Sequence, residues 1–493
     1  MSHARAGLWL VCVAALCVGC ASRVALRAGE GRGFENPDAS WRIVVDPELR
    51  RLDVRACFSR SPGTLVPGTR RAGKWLLQPR AVAAAGELAP RGPLAVDSRS
   101  GGFEVPGGAA ARCVDYSVNL ARLVAEDARR HETYASARCV VLNPDLFLWR
   151  PRRVAADFRG AVHFVLPEGF DASTAWPRGP SGALDLDASA LEGTGRVVLG
   201  RFSRLRADVG TASLDVAVVD GPRAATDAGI RHWLSESARA NALVYGQPPT
   251  PSAQVIVIPV EGDRARPVVF GMALRGGGPA LVLLLDKAAR DLQLPGEWIA
   301  IHELFHLGMP AIRRADAWLS EGVTMYYSEI LRARAGFATP DEAWQRVHDG
   351  FGRGRRESTG RTLADESAAM RETASYMRVY WGGAAIALAW DVAIREASAG
   401  EKSLDDALRH LHDCCREPAR FWSAAEVIAT LDRWWGSPLF SGIAEPALAS
   451  AAFPDLSGLY SRLGLLADGT DLRLLESSAS ALRDAITAKE PAR

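Results

Sequence analysis

The run His302-Glu303-Leu304-Phe305-His306 constrains this chain more than any other feature. On an α-helix, residues four apart lie on one face, so His302 and His306 can offer two imidazoles to a single metal ion, with Glu303 beside its open position. Two imidazoles leave such a site incomplete, because a catalytic zinc usually takes three protein ligands and keeps a fourth place for water. Glu321, in Trp318-Leu319-Ser320-Glu321-Gly322, is the expected third ligand, giving one zinc ion per chain. Histidine is scarce, nine in 493 residues, so chance supplies such a pattern on the order of once in a hundred chains of this length. Pro295 before the run and Gly308 and Pro310 after it mark the ends of one short apolar helix.

Around this helix the chain divides by period. Residues 41–220 read as a β-rich domain, from short alternating runs such as Arg42–Val45, Leu52–Phe58, Gly160–Leu166 and Leu214–Val219, with one helix near 119–130. His131 and His163 lie there and are read as structural. Residues 221–400 read as the zinc domain. A helix over 226–243 precedes three strands, Val255–Pro259, Val268–Leu274 and Ala280–Leu285; helices over 316–334 and 372–397 follow, with a Gly-rich connection at 349–362 that carries an arginine cluster. Residues 401–493 read as helical. The fold class is therefore α+β and multidomain.

Charge excludes one class of partner. A net charge of +2 among 59 basic and 57 acidic residues provides no global field for nucleic acid. Residues 1–19 join a short basic start to an apolar run from Leu8 to Gly19, the pattern of a secretory leader too short to span a bilayer. Residues 20–40 are small and Gly/Arg-rich and read as a tether. Leu16-Cys17-Val18-Gly19-Cys20 resembles a bacterial lipoprotein cleavage box with Cys20 lipidated, which implies anchorage in the bacterial cell envelope by lipid alone; plain secretion or release to the periplasm is the alternative. Cys57, Cys113, Cys139, Cys414 and Cys415 would then sit in an oxidising compartment, with a bridge among the first three that spacing cannot assign.

The order of sheet, His-Glu-x-x-His helix and Glu-bearing helix resembles the gluzincin metallopeptidases, of which thermolysin is the familiar form. Trp318–Gly322, Tyr326-Tyr327 and Val379-Tyr380-Trp381-Gly382-Gly383 look most like the aminopeptidase N and glycyl aminopeptidase families. That resemblance implies a thermolysin-like catalytic domain of small sheet plus helical lobe, and Tyr380 as the donor to the substrate carbonyl oxygen. Tyr326 and Tyr327 themselves are read as packing residues beneath the zinc helix. Two departures accompany the resemblance. Only fourteen residues separate His306 from Glu321, fewer than in aminopeptidase N. The family's Gly-x-Met-Glu-Asn, whose glutamate holds a substrate amine, is here Phe270-Gly271-Met272-Ala273-Leu274, with no acid.

The expected activity is zinc-dependent hydrolysis of peptide bonds in a peptide or protein substrate. Glu303 serves as general base, Tyr380 as oxyanion donor, and Gly271, Met272 and Ala273 as the strand that holds the substrate backbone. The competing reading is a non-catalytic envelope lipoprotein that keeps zinc or binds peptide on a peptidase-like fold.

Overall fold

In the computed structural model the described residues are 37–82, 93–106, 112–127, 133–192, 195–262, 266–417 and 420–488. The leader, Cys20, most of the tether and His131 lie outside them. The described chain is α+β: strands dominate the first part, and helices dominate after residue 295. Among these residues no helix is long and apolar enough to cross a membrane.

A strand with one face in the core buries every second residue. Ala39–Val45 does so: Trp41, Ile43 and Val45 are buried while Arg42 is exposed. It lies inside a six-stranded sheet, antiparallel to Arg51–Phe58 and parallel to Arg159–Val165. Cys57 stands opposite Cys113 in register, and these two form the disulfide; Cys139 is a buried thiol and Cys414 is bonded to Cys415.

A second sheet of five strands carries the site. Its order is Ser203–Val209, Ala212–Val218, Ser252–Val260, Ala280–Asp286 and, at the edge, Val268–Leu274. The first two of these fall before residue 220, within the span read from sequence as the β-rich domain, yet they hydrogen-bond into the sheet beyond it. Ser252–Val260 has parallel neighbours on both sides and is buried along nearly its whole length, which is why its sequence is an unbroken apolar run. Helices Asp227–Tyr245 and Trp298–Gly308 cover one face of this sheet; Cys139, Val141 and Val198 of the β-rich part pack on the other.

The helical lobe places the remaining site residues. Helices Ala317–Arg334 and Tyr376–Ala397 touch backbone to backbone at Gly322 and Gly383: a Cβ on Gly322 would lie 2.4 Å from the Gly383 backbone, and one on Gly383 only 1.9 Å from the Trp318 carbonyl oxygen. Below the contact, Tyr326 donates to Asp391 at 2.8 Å and Tyr327 to Asp405 at 2.5 Å, both tyrosines being wholly buried packing residues.

Two expected elements differ. The Gly-rich segment 349–362 is helical as far as Arg356, because Gly350 and Gly354 let the helix Pro340–Arg356 lie close: a Cβ on Gly350 would sit 2.3 Å from the Trp381 indole, and one on Gly354 2.6 Å from the Phe453 ring. Its arginines stack instead of looping, Arg353 over Trp381 at 5.2 Å and Arg355 over Phe453 at 5.1 Å. The helix expected over 372–397 is broken at Ala374, which has φ 55°, so that Leu363–Thr373 ends and Tyr376–Ala397 begins. Buried Glu366 accepts from Ser375 at 2.5 Å and Thr373 at 3.3 Å and fixes that corner.

Gly383→Ala forces the two helices apart and should cost about 2 kcal/mol or more of stability, as overpacking of a close contact does. Urea unfolding measures it; a variant as stable as the parent would refute the contact.

Candidate metal centre

Trp298–Gly308 starts where the side chain of Glu297 accepts from the Ile299 and Ala300 amides, at 2.8 and 3.4 Å. Burial pushes this carboxyl up to about 8 against the pull of those amides. At the other end Arg275, just past the edge strand, donates to the carbonyls of His306 and Met309, the latter at 2.8 Å. A cation on the last carbonyls of a helix is favourable. Burial, with Arg416 nearby, lowers its pKa to about 10. The helix thus lies pinned at both ends against the sheet.

His302 is buried, and His306 and Glu321 are partly buried, with 12% and 23% of their side chains exposed. Their ligand atoms converge: His302 Nε2 to His306 Nε2 is 3.1 Å, His302 Nε2 to Glu321 Oε2 is 3.3 Å, and His306 Nε2 to Glu321 Oε2 is 3.5 Å. A tetrahedral zinc with bonds of 2.0–2.2 Å sets its ligand atoms about 3.3–3.6 Å apart. Among the described residues this is the group of three or more ligand side chains that can close on one ion.

The hydrogen-bond network decides which ring nitrogens face inward. Thr324 donates its hydroxyl to the Ser320 carbonyl and Ser328 donates to the Thr324 carbonyl, both at 2.7 Å. Each hydroxyl is then left to accept, from His306 Nδ1 at 3.3 Å and from His302 Nδ1 at 3.2 Å. Ser320 Oγ adds a second contact to His306 Nδ1 at 3.2 Å. With both Nδ1 atoms protonated, both Nε2 atoms point lone pairs at one another and at a carboxylate, an arrangement that calls for a cation. Burial disfavours the charge on Glu321, yet the imidazoles of His306 and His302 overcome it and hold the carboxyl far below its usual range.

Glu303 lies between this triad and the edge strand. A Cβ on Gly271 would come within 2.7 Å of the Glu303 side chain and 2.4 Å of Ile299, so glycine is needed for the strand to approach the helix. The Ala273 amide bonds the Glu303 carboxylate. Burial raises Glu303 to about 7, opposed by His302 and reinforced by Glu321. Gly271 and Ala273 therefore seat the proposed base directly, whereas Met272 packs toward the core on the other side. Tyr380 faces the same space: burial, then the charges of Glu321 and Glu303, push its hydroxyl far above its ordinary range, and it bonds Glu321. Tyr376, one turn earlier, is 39% exposed and meets Tyr380 edge-on at 6.4 Å.

No family model matches the sequence, and no curated protein matches it. Solved structures do. A crystal structure of an aminopeptidase N family protein from Idiomarina loihiensis superposes with a TM-score of 0.70 at 16% identity, over 87% of this chain and 78% of that one. The chain has the M1 zinc metallopeptidase fold. An M1 zinc metallopeptidase from Deinococcus radiodurans matches at TM-score 0.52 and 15% identity, over 87% of this chain and 96% of that one. A mutant of that enzyme bound to a Tyr-Ser-Ala substrate matches at 0.52 and 17%, over 86% and 96%. On this M1 fold the five residues His302, Glu303, His306, Glu321 and Tyr380 come together around one space. Sequence reasoning missed Ser320, Thr324 and Ser328, whose signal was their i, i+4, i+8 spacing on the Glu321 helix, and it missed Arg275.

Purified protein should hold one zinc, and His306→Ala should lose stoichiometric metal. Ser328→Ala, which removes the acceptor behind His302 together with the bond to the Thr324 carbonyl, should weaken zinc by about 10–100-fold in competition with a chromophoric chelator. Unchanged affinity would remove the hydroxyl ladder from the site.

Proposed function

We propose that this protein is a zinc-dependent peptidase that hydrolyses peptide bonds with Glu303 as general base. The observation that carries this is the placing of an intact, buried Glu303 against three converging ligand atoms, since a purely structural metal needs no such base. His302, His306 and Glu321 would hold a zinc ion, which when bound would supply a Lewis acid able to lower the pKa of water to about 7. Glu303 takes the proton of the attacking water and passes it to the leaving amine. Tyr380 donates to the carbonyl oxygen as that oxygen gains charge. The exposed edge of Val268–Leu274 takes the substrate backbone as an added strand, with Gly271, Met272 and Ala273 along it.

The M1 neighbours support a peptidase rather than a narrower activity. Ala273 stands where an acid would hold a free amine, so the proposal is not tied to a free N-terminus. The anchor is proposed with it: Cys20 carries lipid and fixes the protein to the bacterial cell envelope, where its partners are peptides and where membrane contact is through the acyl chains.

Glu303→Gln should keep its zinc and lose about 100-fold or more in turnover, measured by mass spectrometry on a peptide library with and without chelator. Tyr380→Phe should cost a comparable factor in kcat, and Tyr376→Phe little. An active Glu303→Gln enzyme would end the proposed mechanism. A wild-type protein that holds zinc and cleaves nothing would leave the non-catalytic lipoprotein reading.

Labelled palmitate should enter the wild-type chain in its bacterial host and not Cys20→Ser. Equal labelling of both would place the anchor elsewhere.

A further inference from the structure

The six-stranded sheet of the β-rich part turns one face to the core and the other outward. Along the outer face, register lines up one row across five strands. Arg80 stands opposite Asp115, Asp115 opposite Arg55, Arg55 opposite Arg42, and Arg42 opposite His163. Neighbouring strands are about 4.8 Å apart, and like charges directly opposite one another are destabilising. Arg55 is neutralised by Asp115, with Nε and Nη2 each 2.8 Å from a carboxylate oxygen. Arg42 makes no ion pair among the described residues, and Arg80 reaches only the amide of Gln78, at 3.2 Å. All three arginines are exposed.

Four members of the row, Arg80, Asp115, Arg55 and Arg42, floor a hollow. The edge strand Leu76–Val82 shifts register between Leu77 and Arg80, and Gln78 there has φ 42°, a left-handed conformation that a non-glycine residue adopts at a cost. An open hollow of about 600 Å³ lies beside this bulge. Arginines 42, 51, 55 and 80 line it against only Asp53 and Asp115, with Leu77 and Val44 as an aliphatic surface beside Gln78 and Ser117. The surplus is two positive charges.

We propose that this hollow binds an acidic oligosaccharide. Arg42 and Arg80 take its carboxylates or phosphates, Gln78 and Ser117 meet its hydroxyls, and the sugar rings lie on Leu77 and Val44. Three strand spacings, about 14 Å, separate the backbones of Arg42 and Arg80, so the ligand carries more than one charge along an extended chain. A hollow bordered by the bulged edge strand suits a narrow chain lying along the row of arginines. The aromatic residue in its described lining, Tyr116, is buried with its hydroxyl on the Phe147 carbonyl, so it offers no platform of the kind on which single-stranded nucleic acid stacks.

The test uses the mature full-length protein and a hexamer of galacturonic acid, followed by calorimetry, with maltohexaose as the neutral control. The hexamer should bind, more weakly as salt rises, and maltohexaose should not. Arg42→Ala and Arg80→Ala should each lower affinity about tenfold or more, as loss of a charge-assisted hydrogen bond does, without lowering the unfolding temperature or the proposed peptidase turnover. Arg42→Ala should melt at or slightly above the parent temperature, because it removes a like-charge neighbour. Failure of the hexamer to bind, or binding indifferent to both substitutions, would overturn the proposal. So would a lowered melting temperature in both variants, which would make the arginines part of the fold. Capture by phosphatidylglycerol vesicles or by an oligonucleotide, abolished by the same substitutions while the hexamer stays unbound, would replace it with a different ligand.

Discussion

The contact between Gly322 and Gly383 sets the position of most of what matters chemically. It brings two helices to backbone distance one residue from Glu321 and three from Tyr380. The carboxylate and the phenol therefore share one space, although nearly sixty residues separate them. Neither helix is placed by its own propensity. The first is fixed beneath by Tyr326 and Tyr327 on Asp391 and Asp405; the second begins at the corner that buried Glu366 stabilises.

A second constraint acts inside the site. The hydroxyls of Thr324 and Ser328 spend their protons on carbonyls one turn back, and so can only accept from the histidines. The ring orientation of His302 and His306 is thus dictated by the helix that supplies Glu321. The third ligand and the tautomer of the other two come from one element, which keeps the site preorganised before any ion arrives.

The outer face of the β-rich part follows different rules. The net charge of +2 says nothing of local fields. Pleat and register place Arg80, Arg55, Arg42 and His163 in one row, though they come from four separate strands and span more than a hundred residues of sequence. Composition averages such a row away.

His302, Glu303 and His306 were legible in the sequence because a helix converts a spacing of four into one face, a local rule that needs no tertiary information. Glu321 and Tyr380 were legible through their surrounding motifs, and the strands Val255–Pro259 and Ala280–Leu285 through their unbroken apolar character. Leu214–Val219 was recognised as a strand but not as a member of the second sheet, because strand order depends on partners that periodicity cannot name. Gly350 and Gly354 suggested a loop, since glycine in isolation favours one; packing against Trp381 made them helical. What the sequence alone determined was the chemistry available to one helix. Tertiary structure decided what faces that chemistry, because the closing of three ligand atoms to 3.1–3.5 Å, the seating of Glu303 on Gly271 and the turn of Tyr380 inward all depend on contacts between segments far apart in the chain.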